Sequence, residues 1–151
     1  MQIDYHNIYI HFILITKDRY PFIKEKNRIR IEKYITGIVA NTGSKLYAIY
    51  ANPEHIHFLV SKNPKISEED LLSRVAESSK RFIIENKLVS GNFMWQDSGS
   101  AFSVSKANVD KVCKYILNQP EHHRLTSFKE EYEKFIKFYH QTLKWEIDKG
   151  I

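Results

Sequence analysis

A single cysteine, Cys113, stands in the 151 residues. It cannot close an intramolecular disulfide, and no ladder of Cys and His at zinc-finger spacing accompanies it. Glycine and proline are sparse, at 5 and 4 residues, which excludes a collagen-like array and argues against a linker or disordered tail. Near the start, the longest apolar stretch, Ile8 to Ile15, is broken by His11 and is far too short to span a bilayer. No basic-then-apolar leader precedes it, and no glycine-rich nucleotide loop is present. These absences point to a soluble protein of a reducing cytoplasm with no membrane partner.

What is present suits one ordinary domain, 1–151, with 42% hydrophobic residues to build a core. Lys and Arg number 23 against 18 Asp and Glu, giving a formal charge of +5. The sequence pI is about 9.2, a balance that favours a polyanionic partner. The excess is concentrated. Lys17, Arg19, Lys24, Lys26, Arg28, Arg30 and Lys33 meet only Asp18, Glu25 and Glu32 in the same segment. Such a run is either a solvated helix face or a surface for a nucleic-acid backbone.

Tyr5 to Thr16, rich in Ile, Tyr and Phe, reads as a buried strand. A helix follows over about 24–41, closed by the stop signal Asn41-Thr42-Gly43. Lys45 to Ala51 and Ile56 to Ser61 read as antiparallel strands around the turn Asn52-Pro53-Glu54. Ser67 is an N-cap, with Glu68, Glu69 and Asp70 in the first turn of a helix reaching about Asn86. Between Asn92 and Ser105 the pattern gives a strand edge, a turn at 97–100 and another strand. The order β-α-β-β-α-β is that of an α+β, ferredoxin-like split unit. A further helix from Asn108 carries the stripe Val109, Val112, Cys113 and Ile116, and Pro120 ends it near Gln119. Ser127 and Glu130 form a capping box for a last helix with Phe128, Tyr132, Phe135, Ile136, Tyr139 and Leu143 along one side.

Three constellations can carry chemistry. His55 and His57 flank Ile56 in a strand, so both imidazoles project from one face. They form a two-nitrogen metal site or a polar pair on an exposed sheet face. Tyr115 and Gln119, four residues apart on a helix, bring a phenol and a carboxamide to one side, or are a rim tyrosine beside a solvated glutamine. Trp95 and Phe102 flank a flexible turn, where aromatics either stack on unpaired bases or fill the core.

Taken in order, Asn52-Pro53-Glu54-His55-Ile56-His57-Phe58-Leu59-Val60, then Trp95-Gln96 with Ala101-Phe102-Ser103-Val104-Ser105, then Tyr115-Ile116-Leu117-Asn118-Gln119 with His122-His123, the chain resembles the single-tyrosine HUH transposases of the insertion-sequence 200/605 type. The turn Ser98-Gly99-Ser100 departs from that family's Gly-Tyr-Gly-like turn, and Glu77 to Arg81 matches its Lys- and Ser-containing stretch only loosely. The resemblance implies a metal-dependent transposase acting on single-stranded DNA with hairpins, working as a homodimer on a ferredoxin-like fold with additional C-terminal helices. It puts Tyr115 at the nucleophile and His55, His57 and Gln119 at the ligands of a divalent ion.

Two imidazoles and an amide oxygen suit Mg²⁺ or Mn²⁺, and the imidazoles alone also accept Zn²⁺ or Ni²⁺. Attack by the phenol would give a 5′-phosphotyrosine and a free 3′-hydroxyl, so rejoining needs no ATP. Phosphate contacts are expected from the cations of 17–33 and from Lys80 and Arg81, with base stacking on Trp95 and Phe102. Two rivals keep the fold. One is a non-catalytic single-stranded nucleic-acid-binding module; the other is a domesticated relative that processes hairpin repeats with the same chemistry. A third reading makes the histidines a structural metal site.

Overall fold

The computed structural model describes residues 1–121, 127, 129–134, 136 and 137. The chain divides into two compact units, Met1–Leu117 and Asn118–Ile151. In the first, the elements follow in the order β1 (Tyr9–Ile15), α1 (Glu25–Asn41), β2 (Lys45–Ala51), β3 (His55–Ser61), α2 (Glu68–Glu85), β4 (Ser100–Val104) and α3 (Val109–Leu117). The four strands form one sheet, ordered β2-β3-β1-β4, in which every neighbouring pair is antiparallel. This is the ferredoxin-like arrangement that the sequence order implies.

The alternation of side chains along the two central strands divides the unit into layers. Ile10, Phe12 and Leu14 of β1 join Ile56, Phe58 and Val60 of β3 in the main core. There they meet Ile31, Ile35 and Val39 of α1 and Leu71, Val75 and Ile83 of α2. Phe12 and Phe58 stack at 5.2 Å between centroids. Fully burying side chains of this size contributes about 1.5–3 kcal/mol each. On the opposite face a smaller cluster joins Ala48, Leu59 and Val104 to Val109 and Ile116 of α3, which packs against β2 and β3. Both faces of the sheet are therefore covered.

Local chemistry explains the boundaries. The Ser67 side chain accepts from the Asp70 backbone N–H, capping α2 as expected. At the end of α1, Thr42 is the C-cap and Gly43 takes φ +78, which only glycine adopts without strain. Gly99 answers a different need: a Cβ there would come within 2.8 Å of the Ile13 carbonyl oxygen and 2.7 Å of the Leu72 side chain.

Three boundaries differ from the sequence expectation. β1 starts at Tyr9 rather than Tyr5, because its neighbours run out there: Tyr9 faces Ser61, the last residue of β3, and Val104, the last of β4. The strand edge expected at 92–95 is reduced to an isolated bridge between Trp95 and Thr16. α3 stops at Leu117, before Gln119. Pro120 has no N–H to offer the Ile116 carbonyl, which weakens any continuation of the helix.

In the second unit, residues 119–121 and 129–134 are helical. Ser127 Oγ accepts from the Glu130 N–H at 3.3 Å, as the capping box requires. Phe128, Phe135, Tyr139 and Leu143, and the pair His122 and His123, lie outside the described residues. Among the described residues no helix is long and apolar enough to cross a membrane.

Candidate metal centre and tyrosine

β3 lies inside the sheet, between β2 and β1, and its pleat sends Ile56, Phe58 and Val60 to the main core. His55, His57 and Leu59 therefore point to the other side, beneath α3. The two imidazoles share a face as expected, but that face is not exposed. His55 is 0% and His57 1% accessible, because α3 packs over this side of the sheet. Their ring centroids are 4.9 Å apart, and a nitrogen of one lies within 4.8 Å of a nitrogen of the other. That separation is close to the span of two metal–nitrogen bonds of about 2.1 Å.

Three neighbours hold these rings. A tight turn closes β2 onto β3, with the Asn52 N–H donating to the His55 carbonyl at 2.8 Å. The turn brings two side chains to His55: Glu54 Oε1 lies 2.8 Å from Nδ1, and Asn52 Nδ2 lies 3.2 Å from Nε2. A carboxylate only accepts, so Nδ1 carries the proton and Nε2 receives the amide N–H. His11 on β1 supplies the third contact, with its Nε2 2.9 Å from His57 Nδ1. In the sequence, His11 served only as a break in an apolar run. Its signal was a polar residue at an inward position of a strand, unreadable until the register placed Ile13 opposite His57.

α3 presents Tyr115 to this face. Its ring stands edge-on to that of His57, at 5.9 Å between centroids and 81° between planes. Tyr50, the cross-strand neighbour of His57 on β2, lies beneath the Arg28 guanidinium, 4.5 Å from its ring centroid. Burial pushes the Tyr50 phenol above its ordinary range, and the Arg28 charge opposes part of that rise. Burial likewise raises the Cys113 thiol, with Asp110 adding to it, so this cysteine is a poor thiolate. Gln119 belongs to the second unit, 118–151.

The cations expected at DNA separate into groups. Lys17 and Arg19 occupy a short turn in which Asp18 and Arg19 both take positive φ, at 57 and 55. That turn is fastened to the histidine-bearing one: the Thr16 N–H donates to the Glu54 carbonyl at 2.9 Å, and the Lys17 N–H to that of Met94 at 2.9 Å. Lys24, Lys26 and Lys33 are exposed on and just before α1. Arg28 is committed elsewhere, to Glu25 at 3.0 Å and Glu32 at 2.9 Å, which holds its guanidinium above its ordinary range. Arg30 bonds Asn86 at 2.8 Å and covers Phe82. On α2, Lys80 is half-buried and Arg81 exposed.

The aromatics also separate. Trp95 is 6% accessible and packs in the main core, where its Nε1–H donates to Ser79 Oγ at 3.1 Å. Its ring faces are occupied by packing, which corrects the expectation of a base-stacking surface there. Phe102 is half-buried on β4, edge-on to His11 at 6.3 Å.

The unit is thus an α+β protein whose four-stranded antiparallel sheet sets two alternate histidines of a central strand under a tyrosine-bearing helix. Residues 4–119 match the family described as "Transposase IS200 like", and the chain belongs to that family. Solved structures agree on the fold. A chain from Deinococcus radiodurans R1, described as a candidate transposase, is 20% identical with a TM-score of 0.60, over 79% of this chain and 96% of its own. A REP-associated tyrosine transposase bound to a REP hairpin is 14% identical with a TM-score of 0.57, over 82% of this chain and 74% of its own. No curated protein matches the chain.

Proposed function

We propose that the protein is a metal-dependent single-strand DNA transposase that recognises DNA hairpins, cuts one strand through Tyr115 and rejoins ends by reversal. One observation carries this reading: the Tyr115 ring lies beside His57, at 5.9 Å between centroids, on the sheet face that also bears His55. A phenol and two imidazoles are thereby gathered within one unit.

The phenol oxygen attacks phosphorus while the P–O3′ bond breaks. The bond to tyrosine takes the 5′-phosphate, and the departing 3′-oxygen leaves as a hydroxyl. In rejoining, a 3′-hydroxyl attacks the phosphotyrosine and restores the phenol. A phosphodiester is kept at each step, so no nucleotide cofactor is required. His55 and His57 would hold a divalent ion, Mg²⁺ or Mn²⁺, with Gln119 as the third protein ligand that the family resemblance implies. Two buried imidazoles fit such an ion, whose chemistry is neutralisation of charge on the phosphate. Lys17, Arg19, Lys24, Lys26 and Lys33 bind phosphates, and the protein acts as a homodimer. The fold-matched chain bound to a REP hairpin supports a folded single strand as substrate.

The test is to incubate the protein with a labelled single-stranded DNA hairpin and Mg²⁺ and to look for an adduct that survives denaturation. Several hairpins with varied flanks are needed, since the cleavage sequence is unspecified. Tyr115→Phe retains hairpin binding and forms no adduct. An adduct in that variant removes Tyr115 as the nucleophile.

A further inference from the structure

The metal reading uses two imidazoles, yet each is held by a second side chain that it does not use. Glu54 grips the Nδ1 side of His55 at 2.8 Å, and His11 grips the Nδ1 side of His57 at 2.9 Å. The two contacts are built independently, one from the residue preceding His55 and one from a neighbouring strand 46 residues away in sequence. They engage the same ring position. We propose that Glu54 and His11 are positioning residues that fix the tautomer of His55 and His57, so that both rings offer Nε2 to the ion. The inference rests on the metal role proposed above for those two histidines.

An imidazole binds a metal through a nitrogen that carries no proton, and the proton must then sit on the other nitrogen. With Nδ1–H donated to the Glu54 carboxylate, His55 is locked with its lone pair on Nε2. That lone pair accepts from the Asn52 amide at 3.2 Å. The same lone pair would serve a bound ion in place of the amide. With Nδ1–H of His57 donated to His11 Nε2, His57 is locked in the same sense, and its lone pair lies on the opposite side of the ring from His11. Carboxylates and other acceptors behind ligand histidines act this way generally, and their loss weakens metal binding about 10- to 100-fold.

The environment makes the two devices different in kind. His11 is 0% accessible and fixed by sheet register, edge-on to Phe102 at 6.3 Å, so its Nε2 is held rigidly against His57. The Glu54 side chain is 21% accessible, and its backbone carbonyl accepts from both the Thr16 N–H and the Thr16 hydroxyl. The charged acceptor is therefore carried by a backbone anchored to Thr16, just past the end of β1, which keeps its reach to His55 constant.

The experiment is a titration of the full-length protein with Mn²⁺ alone, followed by the electron paramagnetic resonance signal of free Mn²⁺, with folding checked by circular dichroism. Wild type binds one equivalent and His57→Ala binds none. Glu54→Ala, and His11→Met, which keeps volume without an acceptor, bind about 10- to 100-fold more weakly. Glu54→Gln and His11→Gln restore part of the affinity, because their side-chain oxygens still accept from Nδ1–H. Wild type that binds no Mn²⁺, or His57→Ala that binds like wild type, removes the metal reading and this inference together. Wild type that binds and His57→Ala that does not, with Glu54→Ala or His11→Met within twofold of wild type, overturns the inference alone. Equal loss in the deleting and the acceptor-retaining variants also overturns it, since a merely structural role would give that pattern. Should His11→Met fail to fold, the Glu54 pair decides.

Discussion

Thr16 links the basic turn to the histidine-bearing turn, and replacing it with valine measures that link. The side chain is 0% accessible, and its hydroxyl donates to the Tyr20 carbonyl at 2.7 Å and to the Glu54 carbonyl at 3.0 Å. Thr16→Val keeps the shape and removes the donor. Both carbonyls retain another partner: Glu54 O still accepts from the Thr16 N–H, and Tyr20 O from the Phe22 N–H at 2.8 Å. The loss is therefore nearer a net hydrogen bond than a full burial penalty, about 1–2 kcal/mol. For a protein of this size that lowers Tm by about 4 °C.

The functional consequence is local. Two residues in this turn, Asp18 and Arg19, hold positive φ, a conformation that non-glycine residues keep only under constraint. Releasing the constraint lets Lys17 and Arg19 leave their places beside the Glu54 turn. Thermal melts and DNA-hairpin binding of Thr16→Val and Thr16→Ser are the assay. The serine variant, which keeps the hydroxyl, stays close to wild type in binding, and the valine variant loses both stability and affinity. A valine variant that melts with wild type and binds equally well refutes the reasoning that this hydroxyl fastens the turn.

Other substitutions probe the remaining parts. Trp95→Phe deletes the indole donor to Ser79 and leaves unfilled core volume, which destabilises by about 1–3 kcal/mol in chemical denaturation. DNA-hairpin binding by the folded fraction is unchanged, and a selective loss of binding would contradict the core position of the ring. Tyr50→Phe tests the raised phenol. Below its ordinary value of about 10 the group is protonated in both states, while above it the unfolded chain ionises first and wild type loses stability until pH passes the folded-state value. The variant therefore shows a shallower alkaline decline, and identical pH–stability curves would show that burial does not hold this proton. Replacing Lys24, Lys26 and Lys33 together by alanine weakens hairpin binding and lowers the log–log salt slope by about 2, at roughly 0.7 per phosphate contact. An unchanged slope assigns that helix face to solvent.

Elements whose signals are local were legible in the sequence. The stop at Asn41-Thr42-Gly43 and the cap at Ser67 each act within one helical turn, and α1 ends and α2 begins where those residues place them. The common face of His55 and His57 follows from the two-residue period of a strand. What was not legible depends on distant pairing. Nothing in the stripe Val109, Val112, Cys113 and Ile116 says which face of the sheet it covers, so the histidines were expected at an exposed surface and are found buried. Trp95 has the composition of a stacking residue, and only the fold puts it against Ser79. His11 and His57 are joined by strand register, which no spacing within either segment encodes.

Burial also changes what the histidine pair requires. On an exposed face, water would satisfy the imidazole nitrogens, and the rings could turn freely. Between α3 and the sheet, each nitrogen needs a protein partner or an ion, because an unsatisfied buried polar atom costs about 1–3 kcal/mol. Glu54, Asn52 and His11 meet part of that need, and in doing so they set the orientation of both rings before any ion arrives. Rigid strands fix the backbone beneath the rings, and the side-chain contacts fix the χ angles above it. A central strand covered on both sides is thus a better mount for a phosphate-handling pair than an edge would be: it exchanges the mobility of a surface histidine for a geometry held by the register of three strands.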